Sequence, residues 1–352
     1  MKSSFLSIAK RTLLVLLIVV VVAGAYVGYK RIPQFVNEFY RLSAPVTVTG
    51  KEVVITIPKG ASLSQVAKIL QDNGIIRSSL IFKLVAFIRG EQRRVKAGDY
   101  LLKTSSDPGE VLDLLISGKT LMITLTVPEG YNIFQIAELF EQTGISSRDE
   151  MLVVARDKSF IAELGLEGVS LEGYLFPDTY FLRSSEKGDP KVVLRRMVQR
   201  FRNVYDNQVR ATAEQFGWTP LQVVTLASLI EKEAKASEHA LVSAVFHNRL
   251  RLNMKLQSDP TVIYGLKPMG SKITRADLDR KHPYNTYQNV GLPPGPIANP
   301  GKESLLAAVA PADVDYLYFV SKNDGTHQFS NTLQEHNRWV NLYQKQPVNR
   351  MQ

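Results

Sequence analysis

The sequence predicts an α+β protein held at a membrane by one N-terminal helix. Three observations carry that expectation. Residues 12–29 are apolar and uncharged, a strand–turn–helix pattern occurs twice between residues 51 and 209, and helical periodicity takes over from about residue 210. With 352 residues the chain exceeds one ordinary domain, which points to two or three.

The apolar stretch, TLLVLLIVVVVAGAYVGY, is long enough for a transmembrane helix and long for a signal-peptide core. Ala23-Gly24-Ala25 resembles a cleavage site, so a removable signal peptide is the alternative reading. Residues 1–11 form a basic head with Lys2, Lys10 and Arg11. Lys30 and Arg31 follow the span, so charge by itself orients it weakly. A short basic head before a single span favours a cytoplasmic N-terminus, with everything after about residue 30 outside, starting with a linker at 30–50.

The repeat comes next. IPKGASLSQVAKILQDNGI (57–75) aligns without a gap on VPEGYNIFQIAELFEQTGI (127–145). Pro58 and Pro128, Gly60 and Gly130, Gln65 and Gln135, Ala67 and Ala137, and Gly74 and Gly144 coincide. In each copy a β-rich run enters a Pro-x-Gly turn, an amphipathic helix follows, and Gly ends it. A second echo pairs GDYLLKTSSDPGEVLDLL (98–115) with DTYFLRSSEKGDPKVVLRRM (178–197). Each unit therefore reads strand–helix–insert–strand–helix, over residues 51–120 and 121–209. Such modules serve as a structural platform or as a ligand-binding unit. Residues 210–347 read as a further, mainly helical domain. It carries helices to about residue 255, an irregular stretch at 282–301, a helix at 302–310, a β-like YLYFVS at 316–321 and a last helix from Leu333.

Composition narrows the chemistry. Net charge is +10, from 43 Lys plus Arg against 33 Asp plus Glu, which suits an anionic polymer or a membrane surface as well as plain solubility. There is no cysteine, so disulfides and thiolate metal sites are excluded. The five histidines show no metal-ligand spacing, and nucleophile elbow, P-loop and dinucleotide fingerprint are all missing. Carboxylate acid/base chemistry is the class that the residues support, with no metal and no cofactor.

Within LASLIEKEAKASEHALVSAVFHNRL (226–250), Glu231 and Glu233 occupy the two shoulders of an apolar helix face. A carboxyl against apolar neighbours gains a raised pKa, which a general acid needs. A solvated helix edge is the plainer alternative. In LQSDPTVIYGL (256–266), Asp259 before Pro260 reads as a turn and helix cap. Alternatively, Gln257, Asp259 and Tyr264 line a polar groove. The loop HPYNTYQNVGLPPGPIANPG offers Tyr284, Asn285, Thr286, Tyr287, Asn289 and Asn299. Rings beside amides and hydroxyls suit a carbohydrate, and a rigid structural lid is the alternative.

In order, TLASLIEKEA, VFHNRL, LQSDPTVIYG, YNTY and GLPPGPIANPG closely resemble the endolytic murein transglycosylase (MltG / YceG-like) family. LEGYLFPDTYFL (171–182) and YLYFVSKNDGTHQFS (316–330) match it as well. The resemblance covers nearly the whole chain. It implies a LysM-like first module, a lytic-transglycosylase domain and an anchor in the inner (plasma) membrane, with the catalytic part outside. It also implies cleavage between N-acetylmuramic acid (MurNAc) and N-acetylglucosamine (GlcNAc) inside peptidoglycan strands, leaving 1,6-anhydro ends and limiting strand length. The implied partners are glycan strands and cell-wall synthases, not nucleic acid. The family's catalytic glutamate maps onto Glu231. Gln257, Asp259, Tyr264, Tyr284, Asn285, Thr286, Tyr287, Asn299 and Glu172 are the expected substrate-binding residues, and Glu172, Asp178 and Glu233 are possible second carboxylates. A lysozyme-like hydrolase and a non-enzymatic peptidoglycan-binding scaffold are the alternatives.

Overall fold

The computed structural model describes residues 50–183 and 186–345. The expected head, span and nearly all of the linker lie outside these residues. Among the described residues no helix is long and apolar enough to cross a membrane. The chain divides into two compact units. One holds the described residues up to Met122 together with Arg183, and the other holds Ile123–Leu182 and those from Glu186 on.

In the first unit β1 (Glu52–Ile57) pairs antiparallel with β2 (Gly98–Lys103), Glu52 opposite Lys103 and Ile57 opposite Gly98. Alternation puts Ile55 and Ile57 inside and leaves Val54 exposed. Helices α1 (Leu63–Asp72), α2 (Ser79–Ile88) and α3 (Pro108–Ser117) complete a βααβα unit. Its core joins Ile55, Val66, Leu70, Phe82, Tyr100 and Leu112.

The second unit opens with the same grammar. β3 (Met122–Thr126) leads through the Pro128–Gly130 turn into α4 (Ile133–Gln142). The matched residues have matched physical tasks. Ser62 with Gln65, and Asn132 with Gln135, each close a capping box at the helix start. Gly60, Gly74, Gly130 and Gly144 all hold positive φ. The insert, one helix in the first copy, becomes α5 (Arg148–Ala155) and α6 (Lys158–Glu163) in the second. β4 (Thr179–Arg183) then pairs with β3, and α7 (Pro190–Gln208) follows.

Helices α8 (Arg210–Gln215), α9 (Pro220–Glu233), α10 (His239–Arg251), α11 (Pro260–Ile263), α12 (Arg275–Asp279) and α13 (Lys302–Val309) carry the chain onward. A hairpin of β5 (Tyr318–Ser321) and β6 (His327–Ser330) and then α14 (Leu333–Val340) complete the unit. A 3₁₀ turn at Ala236–Glu238 separates α9 from α10. α9 is the buried axis: Val223, Val224, Leu226, Ala227, Leu229 and Ile230 have no exposed surface. One core runs from Leu125 of the second repeat copy through α9 to Val309, so residues 123–182 and those after 210 form a single packing unit.

Candidate active site

Glu231 lies in the last turn of α9, where the helix leaves the core. It is half-buried, and its neighbours are not the apolar shoulder that the helical wheel suggests. Its Oε2 accepts the Gly301 N–H at 3.0 Å and the Ser304 hydroxyl at 2.6 Å. Gly301 is the N-cap of α13 and has no side chain to cap it. The Glu231 carboxylate takes that place from another helix and faces the positive end of the helix dipole. A one-helix wheel cannot show this, because the partners are 70 and 73 residues away. Among the described residues, Oε1 takes no hydrogen bond.

Three further groups complete this corner. Ser304 Oγ also lies 3.1 Å from His239 Nδ1, and His239 Nε2 lies 3.0 Å from the Ala234 carbonyl. A carbonyl only accepts, so Nε2 carries a hydrogen. The Pro128–Gly130 turn of the second repeat copy closes over Glu231. Lys232 Nζ donates to Gly130 O at 3.2 Å, and Gly130 N donates to Asn299 O at 2.9 Å. A Cβ on Gly130 would lie 3.4 Å from Glu231 Cγ, and its φ of +72° also calls for glycine.

Glu129, in the same turn, is exposed overall, but its carboxyl end lies over Gly301. A Cβ there would come within 1.9 Å of Glu129 Oε1. Burial of that end, and then the charge of Glu231, push the Glu129 carboxyl above its ordinary range, and Glu303 adds to the rise while His239 opposes it.

Sequence reasoning missed Glu129, His239, Gly301 and Ser304. The repeat held one signal. Where the first copy has Lys59 the second has Glu129, a charge reversal inside an otherwise matched Pro-x-Gly turn.

The expected substrate residues fall into separate groups. Glu172 is buried and accepts the Ile133 N–H, the Tyr264 hydroxyl at 2.9 Å and the Asn299 amide at 2.8 Å. Burial outweighs these donors and pushes it up to about 7. Asn299 is fully buried too. Its Oδ1 accepts the Leu175 N–H, and its amide also reaches Tyr131 O. Together the three side chains tie the start of α4 and the Leu175 backbone to the loop before α13.

Asn285 and Thr286 are buried clamps. The Asn285 amide donates to the carbonyls of Leu278 and Arg280, while Thr286 Oγ1 accepts the Ser258 N–H and meets Thr261 Oγ1 at 2.8 Å. Asn289 donates to Asn285 O and His282 O. Asp178 accepts from Arg200 Nε at 2.7 Å.

Gln257, Asp259 and Tyr287 keep exposed surface. Asp259 occupies the N-cap position of α11 but caps nothing with its side chain, because its Oδ1 accepts the Tyr287 hydroxyl instead. Glu233 turns away from Glu231 toward this group and accepts the Ser258 hydroxyl. Burial pushes it up to about 7. Tyr264 and Tyr284, with ring centres 4.9 Å apart, line a concavity of about 390 Å³ with Phe134, Arg156, Ser170 and His282.

The remaining motif residues are braces. In VFHNRL, Asn248 donates to Val314 O and Tyr316 O, and Arg249 donates to Leu317 O and Leu256 O. His247 meets Ala308 O at 2.9 Å and stacks on Trp218. Among the described residues no cluster of three or more His, Asp or Glu could hold a metal ion.

Residues 55–342 match the model of the YceG-like family. An endolytic murein transglycosylase of Bacillus subtilis (strain 168) is 35% identical over 320 residues, 86% of this chain and 88% of its own length. An endolytic murein transglycosylase of Streptococcus pneumoniae (serotype 2, strain D39) is 30% identical over 90% of this chain, which spans 62% of that longer relative. A crystal structure of a yceG-like protein from Listeria monocytogenes, 33% identical, superposes with a TM-score of 0.58 over 82% of this chain and 98% of its own.

Proposed function

The chain belongs to the YceG-like family, and from that premise we propose that it is an endolytic murein transglycosylase with Glu231 as its acid and base. It cleaves MurNAc–GlcNAc bonds within glycan strands and leaves 1,6-anhydro-MurNAc ends. The observation that carries the assignment of Glu231 is the asymmetry of its carboxyl group. Oε2 is fixed by Gly301 and Ser304, and Oε1 has no hydrogen bond to the described residues. The fixed oxygen aims the free one.

Most glycosidases use two carboxylates, one of them to activate water or attack the sugar. Here the nucleophile is the C6 hydroxyl of the muramic residue itself. Glu231 Oε1 delivers a proton to the glycosidic oxygen, and the C1–O bond breaks toward an oxocarbenium-like state. The same oxygen then takes the proton of the C6 hydroxyl, and O6 bonds to C1. The nucleophile is already in the reacting sugar, so proximity replaces an activated water. Tyr284, Tyr287, Gln257 and Asp259 have exposed surface and would contact the strand. Glu172, Asn285, Thr286 and Asn299 are buried and would act by holding the loops that carry them.

The anchor over residues 12–29, with the rest of the chain outside the plasma membrane and near cell-wall synthases, belongs to the same reading. So does a LysM-like first unit. Its open concavity of about 430 Å³, edged by Lys59, Gln65, Lys68 and Asp72, supports a polymer-binding role.

Mass spectrometry of products from peptidoglycan strands tests the proposal. Anhydro-muramyl ends that vanish in Glu231→Gln are the expected result. Reducing ends instead would make the protein a hydrolase, and continued cleavage by the variant would remove Glu231 from its role.

A further inference from the structure

We propose that His239, acting through Ser304, decides which oxygen of Glu231 carries the catalytic proton. The inference rests on the acid/base reading of Glu231, and hydrogen-bond counting carries it. Ser304 has one hydroxyl hydrogen and two partners, Glu231 Oε2 at 2.6 Å and His239 Nδ1 at 3.1 Å. One hydrogen cannot fill both contacts, so a second must come from Glu231 or from His239. His239 Nε2 already donates to Ala234 O, so an Nδ1–H makes the ring an imidazolium.

Two fully bonded arrangements follow. In one, His239 Nδ1–H donates to Ser304, and Ser304 donates to Glu231 Oε2. Oε2 is then filled by two donors, Ser304 and Gly301, and an acid proton on Glu231 must reside on Oε1, the oxygen free for substrate. When that proton leaves for the glycosidic oxygen, the carboxylate stays bonded and faces a cation across one hydroxyl. In the other arrangement His239 is neutral and accepts from Ser304, so the Glu231 proton is drawn onto Oε2 and points at Ser304. The acid is then present but aimed away from substrate. The imidazolium form is the competent one.

Carboxyl groups crowd that ring. α10 carries His239 and packs against α9 and α13. Buried His239 has Glu231 across Ser304 on one side. Glu129, from the turn over the site, interacts electrostatically with it, and Glu303 of α13 lies next to Glu129. Lys232 opposes this, but its ammonium is committed to Gly130 O. Glu238, adjacent in sequence, is paired with His327 at 2.8 Å. His239 is a positioning residue here, since it touches Glu231 only through Ser304.

The chain has five histidines, so ¹⁵N-histidine spectra of the full-length protein can follow each ring through a pH series. In Glu231→Gln the His239 Nδ1 signals are expected to differ from those of the wild type across the series, because Ser304 then faces a neutral amide. The signals of His247, His282 and His336 stay in place and report an intact fold. Should all five move, Ser304→Ala reads the same coupling with less disturbance. A His239 response unchanged in both variants overturns the proposal.

These spectra need no substrate, so they separate this inference from the assignment of activity. A cleavage profile adds the kinetic side. His239→Asn presents a permanent amide donor to Ser304, so its activity is expected to persist to higher pH than that of the wild type. Superimposable profiles would count against the relay.

Discussion

Replacing Glu172 by Gln tests whether this carboxyl is a buried knot or a sugar-facing charge. Its surroundings set the magnitude. The side chain is 2% exposed, and burial moves its pKa from 4.5 to about 7. The native state therefore holds a proton between about pH 4.5 and pH 7 that the unfolded chain has released. Stability then falls as pH rises, since the native state binds more protons than the unfolded one. The contribution is complete below about pH 4.5 and gone above about pH 7. Over that window the loss is about 3 kcal/mol, at about 1.4 kcal/mol per unit. Gln removes the titration and can still serve the site, accepting from Ile133 and Asn299 while donating to the Tyr264 oxygen. Urea unfolding followed by tryptophan fluorescence is the assay, because Trp218 and Trp339 both lie in the second unit. The variant is expected to lose about 3 kcal/mol less than the wild type between pH 4.5 and pH 7.5. Glu233, also pushed up to about 7, leaves a residual slope in both. Equal slopes would mean that Glu172 is ionised in the folded protein, which would refute the argument.

Other substitutions probe the site directly. Gly301 has φ near −74°, which alanine tolerates, and keeps its N–H for Glu231, but a Cβ would occupy the place of the Glu129 carboxyl. Gly301→Ala and Glu129→Gln are each expected to lower cleavage about tenfold, because each takes the Glu129 carboxylate away from the site. The double variant should be no worse than either one, and additive losses in kcat/KM would show that the two act independently. Tyr264→Phe leaves Glu172 one donor short and should cost about 1–3 kcal/mol, lowering Tm by several degrees with cleavage retained at moderate temperature. A thermal melt checks the first half of that prediction and product release the second.

Local structure was legible in the sequence wherever neighbouring residues dictate it. The repeat is visible because each matched residue does local work. Gln65 and Gln135 close capping boxes three residues from their partners, and Gly74 and Gly144 end helices with positive φ. The family motifs pointed to Glu231 for a similar reason, since they are stretches of contiguous chain. Sequence was misleading where contacts span the chain. The Glu231 shoulder looked apolar because a wheel contains only α9, whereas its partners come from Gly301 and Ser304. Asn285, Thr286 and Asn299 looked like sugar ligands because polar residues in a loop suit both water and substrate. Tertiary structure committed their amides and hydroxyls to carbonyls and amides inside the protein, where an unpaired polar group is costly.

The sequence by itself determined the repeat, the residue types available for chemistry and the helix that carries Glu231. Only tertiary structure decided that a turn of the repeat would place Glu129 beside Glu231. It also decided that a helix start from 70 residues away would hold one of its oxygens and leave the other free. The physical reason is that caps, turns and periodicity act over a few residues, whereas a carboxyl group's proton responds to every charge and donor the fold brings within a few ångströms.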